Sequence, residues 1–405
     1  MKYVYILTSI LSCFSIYGTF PSKLKIASAL FVGMAMIDFM IHFKTDDLKT
    51  LGEFFVEYNK YIIIMLLVSL IVYINDMSAT SLIVRGFEKI FYQVLTILVA
   101  LFAVYEFRDK AIDYTYKAFS IFNFICMFLA VKDTGNISQV ISDIQYFLTS
   151  GGDAIGYMKL LELHEVTFCF GLFMIYFLVE GPKQNWKKIV ISMFFFLVGM
   201  KRAGLLGLGG AIFYWLLVKN NKHKKTITSV LMWGFVIFSF GYVIFVRSGA
   251  FVALMNELDI DLMGRQNLYQ YIEQYYVISP FFTGHGFESI KELLAAAGDL
   301  KVNETLISKL TALHNDYLAM YIQMGFFGFF AWTWYRFVNI TNFCWKYGDK
   351  AFISCTMCSI YAGITYLTDN TAMYFYMVMM GWMIPLAFAV IHQEKGGNQC
   401  QQNEN

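Results

Sequence analysis

The sequence predicts an all-α polytopic membrane protein with about twelve transmembrane helices and one large, structured external loop. Three observations carry this. Of 405 residues, 58% are hydrophobic and 15% charged, and the mean hydropathy of +0.55 is too apolar for a soluble chain of this length. Four prolines and 41 phenylalanines suit continuous helices with aromatic interfaces. No alternating strand pattern for a barrel is present, so segments in lipid must satisfy their backbone as helices.

The apolar runs fall at 3–20, 26–43, 61–75, 90–107, 115–131, 163–180, 188–200, 203–218, 227–246, 315–337, 351–368 and 372–391. No small-residue cleavage site follows the first, which reads as a retained span. Lys201-Arg202 interrupts the seventh and eighth, so that pair fits either two spans or a tight re-entrant turn. Orientation follows from the basic residues of the short loops. With the N-terminus inside, Lys44, Arg108, Lys188, Lys224, Arg336 and Lys346 fall on the cytoplasmic side, and both termini are cytoplasmic. The chain then divides into the first nine spans (1–246), an external loop (247–313), the last three spans (314–392) and a cytoplasmic tail (393–405).

The loop carries Tyr269, Tyr271, Tyr275, Tyr276, Phe281 and Phe287, and a helical stretch around Ile290–Ala297. A long segment with its own apolar residues folds and carries function. A second external segment, 132–161, has the spacing of a short interfacial helix ending at Gly151-Gly152. The seven cysteines lie in apolar runs or cytoplasmic loops, which predicts no structural disulfide. Cys355 and Cys358 read most simply as small residues one turn apart. The net charge of +2 sits in short loops and indicates no nucleic-acid partner.

Three groups of residues stand out for chemistry. Leu313-His314-Asn315-Asp316-Tyr317 places an imidazole and small polar groups at the mouth of an apolar helix. Asn315 and Asp316 also suit helix capping. Arg202 stands at the external face, where a guanidinium is costly unless paired or hydrated; its planar fork fits phosphate oxygens. Gly204-x-x-Gly207-x-Gly209-Gly210 follows and lets helices approach closely. In the loop, Gly264-Arg265-Gln266-Asn267-Leu268-Tyr269 precedes Pro280 and Gly284-His285-Gly286-Phe287, whose glycines permit positive φ.

The order of these three groups resembles the bacterial O-antigen polymerase (Wzy-type) and O-antigen ligase family. The likeness covers roughly 190–335 together with the span count. The motifs are short, and their joint order gives the specificity. Family members often carry Ser-Arg-Gly where this chain has Lys201-Arg202-Ala203-Gly204.

The resemblance implies a GT-C-like, metal-independent glycosyltransferase without cofactor, acting at the outer face of the bacterial inner membrane. Its substrate would be an undecaprenyl-pyrophosphate-linked oligosaccharide, and its partners membrane lipids, a chain-length regulator and a flippase. Arg202 and Arg265 would hold the donor pyrophosphate, and His314 would orient or deprotonate the acceptor hydroxyl. Lys201, His285, Asn315, Tyr269 and Tyr317 are the second-tier substrate-binding candidates. Two acceptors fit: another lipid-linked repeat unit (an O-antigen or capsule polymerase) or lipid A core (a ligase). Nothing in the sequence separates the two by physics; the resemblance favours the polymerase, the Phe/Tyr-rich member type of the family. A flippase or transporter of the same glycan would instead show mid-span charges and repeat symmetry.

Overall fold

The computed structural model describes residues 1–16, 25–43, 48–75, 80–134, 138, 142, 163–199, 201–259, 265–299 and 312–403. Among them helices dominate and no strand occurs. The interfacial segment expected at 132–161 lies mostly outside the described residues, as does Gly264.

The helices are α1 (Lys2–Cys13), α2 (Ala27–Ile41), α3 (Leu48–Asn75), α4 (Thr80–Phe107), α5 (Lys110–Thr134), α6 (His164–Glu180), α7 (Pro182–Val198), α8 (Arg202–Val218), α9 (Lys224–Arg247), α10 (Ala250–Glu257), α11 (Arg265–Ile272), α12 (Ser289–Asp299), α13 (Asp316–Thr333), α14 (Ile340–Trp345), α15 (Asp349–Thr365) and α16 (Phe375–Asn403). Four segments are long and apolar enough to cross a membrane: Leu48–Ile74, Gly86–Phe107, Lys224–Arg247 and Phe375–His392. Three shorter apolar helices, α1, α2 and α8, join them. Phe375–His392 is the most deeply buried of the four and packs against α3, α4, α6 and α15.

Lys201-Arg202 separates two distinct helices, α7 and α8. The glycines of α8 act as the sequence suggested: a methyl group at Gly207 would meet the Tyr361 carbonyl, and one at Gly210 the side chain of Ile364. Backbones of α8 and α15 therefore approach closely.

Charged pairs collect at the two ends of the bundle, where water or headgroups can screen them. Lys188–Asp113 (2.6 Å), Lys346–Glu53 (2.7 Å) and Lys224–Asp349 occupy one end. Lys25–Glu165 (2.6 Å), Lys201–Asp369 (3.7 Å) and Arg247–Glu273 occupy the other.

Two features correct the sequence reading. The span expected at 315–337 is not one continuous helix. Gly325 adopts φ +67° and ψ −174°, which breaks α13. The chain reverses there: the Tyr317 ring lies 6.4 Å from Trp332 and 6.5 Å from Phe337, and Tyr321 lies 5.6 Å from Phe329. A straight helix would hold residues 317 and 337 about 30 Å apart. Residues 316–324 thus form a half-helix folded back against the helical segment 326–337.

Arg336, read as a cytoplasmic loop cation, instead sits within the bundle. It lies in a π-helical stretch, Trp334–Asn339. Its Nε donates to the Tyr366 hydroxyl (3.2 Å), Nη1 donates to Ser359 (3.1 Å), and the guanidinium stacks 5.6 Å from the Trp382 ring. Hydroxyl and aromatic partners make a guanidinium tolerable at that depth.

Candidate functional site

The half-helix begins where the sequence placed a capping residue. Asn315 is the N-cap, its Oδ1 accepting from the Leu318 N–H at 3.0 Å. Its Nδ2 donates to the Tyr242 hydroxyl (3.2 Å), which itself donates to the Leu367 carbonyl (2.8 Å). Asn315 is fully buried, so both ends of its amide have structural partners. Asp316 is also a structural tie. Its N–H donates to the Tyr366 carbonyl (2.9 Å) and its Oδ2 accepts from the Ala372 N–H (2.7 Å). Together these bonds clamp the half-helix to the connector 366–374, between α15 and α16.

The clamp brings His314 to Asp369. His314 Nδ1 lies 3.8 Å from Asp369 Oδ1 and 3.4 Å from Asn370 Nδ2. At 3.8 Å the contact is electrostatic rather than a hydrogen bond. His314 has φ +50°, a left-handed backbone that costs energy outside glycine although histidine tolerates it better than most. That turn carries the ring out of the helix line, where it stays partly exposed.

Asp369 is the residue the sequence reading missed. It lies in the short polar gap between the last two apolar runs, where a lone carboxylate attracts no attention. Its Oδ1 accepts from the Tyr374 hydroxyl (2.8 Å) and the Asn370 N–H (2.8 Å), and its Oδ2 lies 3.7 Å from Lys201 Nζ. Burial opposes ionisation of Asp369. The His314 imidazole, the Lys201 ammonium, the Asn370 N–H and the Tyr374 hydroxyl outweigh it, and hold the carboxyl well below its ordinary value.

Lys201 is thus in the site, with its ammonium also 5.8 Å from the Phe168 ring centroid. Arg202 is the first residue of α8 and is exposed directly beside it. Arg265 opens α11, and its charge acts on the hydroxyls of Tyr242 and Tyr269. Burial raises the Tyr269 hydroxyl pKa, while Asn315 and Arg265 pull it down. Tyr269 therefore borders Asn315, one residue from His314.

Two candidates stand apart. The Tyr317 ring is fully buried, and its hydroxyl donates to the Gly363 carbonyl (2.9 Å). That side chain serves the core. His285 places Nε2 against the Tyr275 carbonyl and packs on the Tyr275 and Phe282 rings. It shapes the loop 276–288 instead of reaching the His314 imidazole. The predicted positive φ of Gly284 and Gly286 is present, at +85° and +88°. It lets the loop lie against the half-helix, with His285 N–H on the Ile322 carbonyl and Gly286 N–H on the Gln323 carbonyl.

The structure thus brings Lys201 and the His314 imidazole to the Asp369 carboxylate, with Arg202 next in sequence to Lys201 at the start of α8. These cations suit a phosphate-bearing ligand. Among the described residues, no group of three or more His, Cys, Asp or Glu side chains is placed to hold a metal ion.

Residues 189–333 match the family model described as O-antigen ligase. Over those residues the chain is similar to the O-antigen polymerase/ligase family, which supports the resemblance read from its motifs. The match runs from α7 through α13, so Lys201, Arg202, Arg265 and His314 lie inside it and Asp369 lies beyond it. No curated protein matches the chain. The apolar helices and this match support a membrane protein, and the match supports a role in glycosyl transfer.

Proposed function

We propose that this protein is a polysaccharide polymerase, joining repeat units carried on undecaprenyl pyrophosphate at the outer face of the bacterial inner membrane, with both termini cytoplasmic. The observation that carries the reading is His314 beside Asp369, with the Lys201 ammonium 3.7 Å from the same carboxylate. Asp369 acts on the His314 ring electrostatically from 3.8 Å, and the partly exposed imidazole, through Nε2, is the base in this reading. Nε2 takes the proton of the acceptor sugar hydroxyl. The hydroxyl oxygen forms a bond to the anomeric carbon as the bond from that carbon to the pyrophosphate oxygen breaks. Undecaprenyl pyrophosphate leaves with the bonding electron pair, and the arginines and Lys201 stabilise its charge. Asp369 stabilises the imidazolium formed.

The family model's description favours a second reading, a ligase that transfers the glycan to lipid A core. Purified protein in liposomes with the lipid-linked repeat unit alone separates the two. A ladder of longer glycans supports the polymerase. Transfer only after lipid A core is added supports the ligase. No transfer to either acceptor, with protein that remains folded, overturns both.

A further inference from the structure

The loop between α11 and α12 carries an exposed apolar tip that the glycosyl-transfer reading does not use. Phe281 is 92% exposed, and Val277 and Ile278 are exposed beside it. From Tyr276 to Phe287 the chain has no Asp, Glu, Lys or Arg. Its one histidine, His285, turns inward to the Tyr275 carbonyl. A soluble loop with this much uncovered apolar surface is unusual, and such a patch marks a contact surface.

The anchoring of the loop identifies what it contacts. Phe287 is tied to α3 twice: its N–H donates to Ser69 (3.1 Å), and its carbonyl accepts from Tyr73 (2.7 Å). Phe326 N–H donates to the Phe282 carbonyl (2.9 Å), so Phe281 is held next to the start of the helix after Gly325. There Phe327 is 69% exposed. Phe326 in turn packs on Phe240 of α9, with ring centroids 5.1 Å apart. Segments of α3 and α9 are both long and apolar enough to span the membrane, and near the loop α3 exposes Ile71 and Ile74. The tip therefore continues the surface those helices present to lipid.

We infer that the Val277–Phe281 tip inserts into the bilayer, with Phe281 among the acyl chains of the leaflet adjoining this loop. Where the loop lies is independent of the reaction that the site catalyses. Aromatic and aliphatic side chains without nearby charge are the residues that partition to that depth.

Nitroxide labelling tests it on the full chain in phosphatidylethanolamine–phosphatidylglycerol liposomes. The six described native cysteines are buried, and Cys400→Ser removes the remaining thiol. A label at Phe281→Cys is expected to collide more often with dissolved oxygen, which concentrates in lipid, than with a water-soluble nickel chelate. A label at Gln270→Cys, an exposed polar position on α11, should show the reverse order. Ile278→Cys gives the same reading if the Phe281 variant does not fold. Chelate-dominated collisions at both tip positions overturn the inference. So does a label shielded from both reagents, which would mean that a second protein surface covers the tip.

Discussion

His314 Nδ1 lies 3.8 Å from Asp369 Oδ1, across two segments that no sequence motif connects. The contact exists because Asn315 and Asp316 fasten the half-helix to the connector 366–374. The imidazole is thus oriented by neighbours with structural tasks of their own.

Replacing His314 by Ala removes the proposed base. Long surface glycan should disappear on a gel while immunoblots show normal protein, consistent with a loss of about a hundred- to ten-thousand-fold in rate. Normal polymer from that variant would rule out the base assignment.

Asp369→Asn should lower activity and also alter acid stability. Folding favours the ionised form of Asp369. Its stabilisation is therefore complete above about pH 4, where an unfolded carboxyl ionises. It is lost only as the pH falls towards the depressed native value. Melting of the purified protein in detergent should become acid-sensitive below about pH 4 in the wild type, and less so in Asp369→Asn. Identical acid profiles would show that Asp369 carries no such linkage.

Arg202→Lys and Arg265→Lys retain charge but lose the planar fork. One charge-assisted hydrogen bond is worth about 1.5–3 kcal/mol, so each variant should lose roughly ten- to a hundred-fold in rate. Wild-type polymer formation with Lys at either position would exclude a bidentate contact there.

A chelator should leave polymer formation intact in the liposome assay, because the cations that would meet the leaving pyrophosphate are side chains. Loss of activity restored by magnesium would refute this.

Gly325→Ala should destabilise the protein. A left-handed φ costs a non-glycine residue about 1–3 kcal/mol, and the added methyl would meet the backbone of Phe282 and Thr283. The melting temperature should drop relative to Gly209→Ala, where the added methyl meets nothing. Equal melting of the two variants would mean the break at Gly325 is not required.

Much of this was legible in the chain. Apolar runs located the helices, Gly284 and Gly286 located a turn, and the stretch around Ile290–Ala297 is α12. His314, Lys201, Arg202 and Arg265 were singled out by their places in short motifs and by the family resemblance those motifs carry together. Asp369 was not legible, because its meaning comes from Lys201 and His314, which only packing brings to it. The break at Gly325 was hidden too. A glycine in an apolar run reads as a helix-packing position until the Phe282–Thr283 backbone is found against it. Arg336 misled for a related reason: basic residues near span ends are counted as loop charges, and its partners Tyr366 and Ser359 lie on a different helix.

The loop 276–288 meets the half-helix largely through main-chain atoms: His285 and Gly286 N–H on the Ile322 and Gln323 carbonyls, and Phe326 N–H on Phe282. Main-chain bonds of that kind are indifferent to side-chain identity, apart from the glycines that permit the approach. The outward-facing side chains of this loop can therefore diverge between relatives without disturbing how His314 is held.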